Sequence, residues 1–167
     1  MSLRIVILTV SDRSARGERP DESGPALAAL IESQGWQVVR KEIVADDQAT
    51  IEQVLRACCD GQQVDVVLTS GGTGFAQRDV TPEATLAVIE RSAPGLAEAM
   101  RSVSLQATAH AMLSRATAGI RKKTLIVNLP GSPKGALENL NVILPVLPHA
   151  VQLLQDDPRS EAGHRTV

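Results

Sequence analysis

The residues with the clearest chemical potential are a glycine-rich segment and two aspartates. Gly71, Gly72, Thr73 and Gly74, called the glycine loop here, would let successive backbone N–H groups approach an anion without interference from Cβ atoms. Asp46 and Asp79 could place two carboxylates beside that loop. Mg²⁺ prefers a few carboxylate oxygens together with substrate phosphates and water. The pattern therefore indicates a site for a phosphorylated ligand and Mg²⁺.

Each of these features also has a purely structural interpretation. The glycine loop lacks the Gly-Lys-Ser/Thr ending of a P-loop and the spacing of a dinucleotide fingerprint, so it could be a simple turn. Aspartates are common helix caps, and Asp46 or Asp47 could cap one helix and Asp79 another. Of the two neighbours, we expect Asp47 to be the cap and Asp46 to be the ligand.

The apolar pattern predicts the elements that would position these groups. Nearly continuous apolar runs predict strands over residues 3–10, 36–44, 64–68 and 124–128, with 116–120 as a hairpin partner of the last strand. Helical spacing and start signals predict helices over 25–34, after 46–47, from Thr81 as N-cap with Pro82 at the first helical position, over 96–105, and after Ser132. Pro145 and Pro148 predict a kink or two abutting helices within 137–154.

Strands that alternate with helices predict a doubly wound, three-layer α/β/α fold with a mostly parallel central sheet. Ligands in such folds bind beyond the carboxyl ends of the strands. Four polar clusters follow predicted strands, namely residues 11–12, 46–47, 71–79 and 128–131. The sequence therefore predicts one site assembled from four loops.

Composition narrows the class of protein. The 167 residues include Trp36 and Phe75 as the only aromatics, and the net charge is −2, which disfavours a nucleic-acid partner. Adjacent Cys58 and Cys59 cannot form a disulfide framework, and no apolar segment has the length of a membrane span. From the strand-like N-terminal run we expect no signal peptide. We expect a cytoplasmic protein with no membrane association, one domain over residues 1–155, and a polar tail over 156–167.

Several segments together resemble a known family. Residues 69–85 (TSGGTGFAQRDVTPEAT), 8–12 (LTVSD), 111–115 (AMLSR) and 124–131 (TLIVNLPG) are similar to the MogA/MoaB family. That family includes bacterial and plant molybdopterin adenylyltransferases and the G domain of gephyrin. The resemblance covers roughly residues 3–155 in the expected order, and it implies a molybdopterin-binding-like fold.

The resemblance also implies an activity and roles for particular residues. It implies a trimeric enzyme that transfers AMP from MgATP to the terminal phosphate of molybdopterin, releases pyrophosphate and hands its product to a metal-insertion protein. Asp46 and Asp79 match the two catalytic acidic residues that hold Mg²⁺, and the glycine loop matches the segment that embraces the nucleotide. Six further positions match the substrate-binding part of the family's site: Ser104, Ser114, Arg115, Asn128, Pro130 and Gly131.

Two details bear on which branch of the family the chain follows. The segment from Arg78 to Pro82 has the form found in the adenylyltransferases, whereas Ala45 stands where many relatives have proline. The alternatives are a MoaB-type protein that binds or presents the pterin without turnover, and a generic phosphate-binding α/β domain.

Overall fold

The computed structural model describes residues 1–61 and 63–156, so the predicted tail lies outside the described residues apart from Asp156. Six strands are found in this part of the chain: β1 (Arg4–Val10), β2 (Gln37–Val44), β3 (Val66–Ser70), β4 (Arg91–Ser92), β5 (Ala118–Arg121) and β6 (Thr124–Leu129). The α-helices are α1 (Asp12–Ala15), α2 (Ser23–Ser33), α3 (Gln48–Asp60), α4 (Thr81–Val88), α5 (Pro94–Ala107), α6 (Pro133–Ile143) and α7 (Leu147–Leu154).

The strands form one sheet in the order β2-β1-β3-β6-β5-β4. The first four of these are parallel, whereas β5 runs antiparallel to both β6 and β4. The carboxyl ends of β2, β1, β3 and β6 therefore meet at one edge of the sheet, which we call the carboxyl edge.

Helices cover both faces of the sheet. Side chains alternate along β1, so that Ile5 and Ile7 face a core shared with α2, α5, α6 and α7. Val6 and Leu8 face a second core shared with α3 and α4. These two cores confirm the predicted three-layer α/β/α arrangement with a mostly parallel sheet.

Most predicted elements are present, with informative differences. The third strand is Val66–Ser70 rather than 64–68, so it reaches the glycine loop directly. The predicted break within 137–154 is confirmed, because a 3₁₀ turn at Leu144–Val146 separates α6 from α7. The strand Arg91–Ser92 was not predicted, since two exposed residues carry no periodic pattern. No helix within the described residues is both long and apolar enough to cross a lipid bilayer.

Candidate active site

The four predicted polar clusters meet at the carboxyl edge of the sheet. They line a cavity of about 340 Å³ that we call the aspartate cavity. Its walls include Ser11 after β1, Asp46 after β2, Gly71, Gly72 and Asp79 after β3, and Gly131 after β6. The structure thus brings together residues from all four loops, as the parallel topology requires.

Gly71 and Gly72 have backbone conformations and surroundings that only glycine accommodates readily. Their φ angles are 104° and 66°, in the region that L-residues rarely adopt. A Cβ at Gly71 would lie 2.3 Å from the Val10 carbonyl oxygen, and one at Gly72 would lie 2.3 Å from the Thr81 hydroxyl oxygen. The loop is therefore packed tightly against β1 and α4, which fixes its backbone beside the cavity.

Asp46 belongs to a chain of polar contacts that links three loops. The Asp12 backbone N–H donates to the Asp46 carboxylate at 2.7 Å, and the Asp46 backbone N–H donates to the Asp12 carboxylate at 3.0 Å. The Arg78 guanidinium donates two hydrogen bonds to Asp12, both at 2.8 Å. Arg78 therefore pairs with Asp12 and forms no ion pair with Asp46.

The two carboxyls of this pair have opposite pKa shifts. Burial raises the pKa of Asp46 above its ordinary value, and repulsion from Asp12 and Asp79 adds to the increase. The hydrogen bonds from Arg78 lower the pKa of Asp12. The Asp46 site thus has an excess of negative charge that a cation would relieve.

The structure also separates capping from site residues. Asp47 caps α3 by accepting a hydrogen bond from the Thr50 backbone N–H at 2.9 Å, as predicted, whereas Asp46 faces the cavity. Asp79 accepts a hydrogen bond from the Ala76 backbone N–H at 2.9 Å and caps no helix. The prediction that Thr81 is an N-cap is wrong. Thr81 is the first residue of α4, and its hydroxyl donates instead to the Gly71 carbonyl oxygen at 2.9 Å.

The donor set of the aspartate cavity fits Mg²⁺. Asp46 Oδ1 lies 3.2 Å from the position of a Cβ on Gly72, and Asp79 Oδ2 lies 2.9 Å from the position of a Cβ on Gly74. Both carboxylates therefore border the glycine loop. Among the described residues, no cluster of three or more His, Cys, Asp or Glu could enclose a metal by itself. One or two carboxylates completed by substrate phosphates and water are the usual Mg²⁺ arrangement.

A second cavity of about 350 Å³ lies beyond the other end of the glycine loop, and we call it the serine cavity. Thr73 and Gly74 line it, whereas Gly71 and Gly72 line the aspartate cavity. Three predicted substrate residues also line the serine cavity: Ser104, Ser114 and Pro130. Ser132 lines both cavities, so the two are neighbours.

Arg115 holds the glycine loop in place. Its guanidinium donates to the carbonyl oxygens of Gly74 and Asp79 and forms an ion pair with Glu83 on α4. Its backbone N–H donates to the Thr73 carbonyl oxygen at 2.8 Å. The structure thus places this predicted substrate residue at the loop, and direct contact with substrate stays a prediction.

The Asn128 side chain connects three elements through its hydrogen bonds. Its side chain is buried beneath the site, where the amide nitrogen donates to the hydroxyls of Thr69 and Thr85 at 3.0 and 2.9 Å. Its amide oxygen accepts a hydrogen bond from the Thr117 backbone N–H at 3.2 Å. Asn128 lines neither cavity and supports β3, α4 and the start of β5, so its contact with substrate stays a prediction.

Asn139 and Arg19 are among the cavity-lining residues that the sequence did not indicate. Asn139 lines the serine cavity and donates a hydrogen bond to the Ser104 hydroxyl at 3.1 Å. Its signal is a polar residue, almost fully buried, on the apolar stripe of α6. Arg19 lines the aspartate cavity from a polar segment that has no local pattern to distinguish it.

Comparison with known proteins agrees with this geometry. Residues 6–149 match a family model described as a probable molybdopterin binding domain. The chain is 43% identical to the molybdopterin adenylyltransferase of Helicobacter pylori strain J99, over 92% of this chain and 88% of that protein.

Solved structures show the same likeness. A structure described as the molybdopterin biosynthesis enzyme MoaB from Thermus thermophilus is 50% identical, with a TM-score of 0.88 over 93% of this chain and 98% of that one. The molybdopterin biosynthesis Mog protein from Mycobacterium ulcerans is 38% identical, with a TM-score of 0.86 over 92% of this chain and 99% of that one. The resemblance inferred from the sequence is confirmed, and the chain belongs to the MogA/MoaB family of molybdopterin binding domains.

Proposed function

We propose that this protein transfers AMP from MgATP to the terminal phosphate of molybdopterin, giving adenylylated molybdopterin and pyrophosphate in molybdenum cofactor biosynthesis. The observation that carries the proposal is the pair of cavities on either side of the glycine loop. A carboxylate-lined cavity suits a nucleoside triphosphate with its metal ion, and a neighbouring cavity can hold the second substrate.

The aspartate cavity is the proposed nucleotide site. Asp46 and Asp79 would hold Mg²⁺, which when bound supplies neutralising charge to the triphosphate. The tightly packed backbone of Gly71 and Gly72 allows the phosphates to approach closely. Asp12 orients Asp46 through their reciprocal backbone hydrogen bonds, so the carboxylate is positioned before the nucleotide arrives.

The serine cavity is the proposed pterin site. Ser104 and Ser114 offer hydroxyl donors for polar groups on the pterin or its phosphate. Ala107, Ala111 and Leu113 add apolar surface against which a flat heterocycle can pack. Such a combination of apolar walls and a few polar groups is typical of small-molecule sites.

The proposed reaction depends on alignment of the two substrates more than on proton transfer. An oxygen of the molybdopterin terminal phosphate forms a bond to the α-phosphorus of ATP, and the bond from that phosphorus to the bridging oxygen breaks. Pyrophosphate leaves with the electron pair of the broken bond. Because the attacking phosphate is already an anion, a strong general base is unnecessary, and positioning and charge neutralisation supply the catalysis. The described residues that line the aspartate cavity accordingly include no histidine.

The assembly and cellular setting form part of the same proposal. A homotrimer, a cytoplasmic location and transfer of the product to a metal-insertion protein rest on the family resemblance. Sedimentation analysis of the purified protein tests the trimer directly, and a monomer at micromolar concentration would contradict it.

The deciding experiment combines purified protein, ATP, Mg²⁺ and molybdopterin and follows pyrophosphate release and the adenylylated product. We expect release that requires all three components and yields one product molecule per pyrophosphate. Tight molybdopterin binding without release would contradict adenylyl transfer and support the MoaB-type scaffold. Absence of pterin binding, with tight binding of another phosphorylated metabolite, would support the generic phosphate-binding domain.

A further inference from the structure

We propose that Arg19 binds the β- and γ-phosphates of ATP and stabilises the pyrophosphate as it leaves. This inference rests on the proposed function and adds a residue that the sequence pattern did not indicate. Arg19 lies in the segment between α1 and α2 and lines the aspartate cavity together with Asp46 and Asp79.

The charges around the aspartate cavity favour a phosphate-binding role for Arg19. Four acidic residues line it, namely Asp21, Glu22, Asp46 and Asp79, and Arg19 is the one basic residue among its described lining. A nucleoside triphosphate carries more negative charge than a single divalent cation neutralises. A triphosphate bound among these carboxylates therefore needs a further positive group, and Arg19 is the group in place.

The Arg19 side chain has no partner among the described residues. Two neighbouring arginines have partners, because Arg16 pairs with Glu18 at 2.7 Å and Arg78 pairs with Asp12 at 2.8 Å. Within residues 1–61 and 63–156, Arg19 makes neither a side-chain hydrogen bond nor an ion pair. Its guanidinium is exposed and available for a ligand that enters the cavity.

The acidic lining residue that is closest to Arg19 in the sequence already accepts hydrogen bonds. Asp21 accepts a hydrogen bond from the Thr9 hydroxyl at 2.8 Å and another from the Gly24 backbone N–H at 3.0 Å. These contacts tie the start of α2 to β1. Asp21 thus fixes the position of the segment that carries Arg19. Because the Asp21 carboxylate already accepts these two hydrogen bonds, the Arg19 guanidinium remains available to a phosphate.

The direction of the reaction assigns Arg19 to the leaving group. Phosphoryl-type displacement places the attacking and leaving oxygens roughly in line on opposite sides of the phosphorus. The acceptor phosphate arrives from the serine cavity, so the pyrophosphate points away from that cavity. Of the two cavities, Arg19 lines the aspartate cavity, where the leaving group would lie. A planar guanidinium can donate two parallel hydrogen bonds to phosphate oxygens as the bond to the α-phosphorus breaks.

The test compares Arg19→Ala with Arg13→Ala by calorimetry and steady-state kinetics. Arg13 is a matched control, because it is an exposed arginine of the preceding helix α1 and lines neither cavity. Titrations use MgATP, Mg-pyrophosphate and AMP. We expect Arg19→Ala to weaken MgATP and pyrophosphate about tenfold, the loss of one charge-assisted contact, and to leave AMP binding unchanged. Arg13→Ala should bind all three ligands like the wild type.

Steady-state kinetics of Arg19→Ala and of the conservative variant Arg19→Lys provide a second test. Arg19→Ala should raise KM for ATP and lower kcat, and Arg19→Lys should restore part of both because it keeps the charge but loses the planar fork. Unchanged pyrophosphate affinity in Arg19→Ala, with normal adenylyl transfer by the wild type, would overturn this inference and leave the proposed function intact. Failure of the wild type to bind ATP or release pyrophosphate would overturn both.

Discussion

The two edges of the sheet each hold an aspartate, Asp65 buried and Asp46 partly buried, and the two are stabilised differently. Asp65 precedes β3 at the amino edge, where its carboxylate accepts hydrogen bonds from the Arg4 backbone N–H at 2.7 Å, the Arg4 guanidinium at 3.0 Å and the Gln155 amide at 2.8 Å. Asp46 follows β2 at the carboxyl edge, where its carboxylate accepts one hydrogen bond, from the Asp12 backbone N–H.

This difference is the one expected between a structural carboxylate and a carboxylate that serves the proposed function. A buried charge costs free energy unless it is paired and hydrogen-bonded. Asp65 meets that condition within the chain and therefore stabilises the fold. Asp46 does not meet it, and burial raises its pKa, so its charge is best compensated by a bound cation and substrate.

The largest expected effect is loss of activity at the carboxyl edge. Asp79→Asn should lower pyrophosphate release by about 100- to 1,000-fold, because it removes a charge that aligns the metal and phosphates. The free energy of unfolding should change by less than about 0.5 kcal/mol, since asparagine can still accept the hydrogen bond from the Ala76 N–H. Turnover assays and urea denaturation measure the two quantities. Wild-type turnover in this variant would contradict a role for the carboxyl edge in the reaction.

At the amino edge the opposite result is expected. Asp65→Ala should lower the free energy of unfolding by about 2–3 kcal/mol, because the Arg4 N–H and guanidinium lose their acceptor. Pyrophosphate release per folded molecule should stay at the wild-type level, since Asp65 lines neither the aspartate nor the serine cavity. A stable variant with low turnover would show that the amino edge serves the reaction after all.

A smaller effect distinguishes two carboxyls within the carboxyl edge. The pKa of Asp46 is raised above its ordinary value of 3.8, so the stability that this group contributes is present below pH 3.8 and is lost as the pH rises through the folded pKa. The pKa of Asp12 is lowered, so its contribution is present above pH 3.8 and is lost as the pH falls through the folded pKa.

The expected consequence is a pair of opposite stability changes. At pH 7, Asp46→Asn should be more stable than the wild type and Asp12→Asn less stable, each by less than about 1 kcal/mol because both groups are partly solvated. Both differences should shrink at pH 3. Urea midpoints at the two pH values measure them, and changes of the same sign at pH 7 would contradict the assignment of the two carboxyls.

The sequence could predict the parts of the site that depend on local pattern. Apolar runs marked the strands, and the parallel topology then placed Asp46 and Asp79 at one edge. The position of Asp47 immediately before a helix identified it as the cap. In each case the relevant interaction lies within a few residues or follows from the order of the strands.

Interactions between distant residues limited the rest. Thr81 fits an N-cap pattern before proline, but its hydroxyl bonds to Gly71, ten residues away. Asn128 lies near the carboxyl end of β6, where a site residue is expected, yet its partners Thr69 and Thr85 come from other elements and bury it. No local sequence pattern distinguishes Arg19, because the cavity that it lines forms only when distant segments come together.

The central claim is that Asp46 serves the reaction, and its neighbour Asp47 provides the control. Asp46→Asn and Asp47→Asn remove the same charge one residue apart, and asparagine can keep the cap on α3. The measurement is molybdopterin- and ATP-dependent pyrophosphate release by the two variants. We expect Asp46→Asn to lose about 100- to 1,000-fold in turnover and Asp47→Asn to match the wild type. Equal turnover in the two variants would contradict the claim.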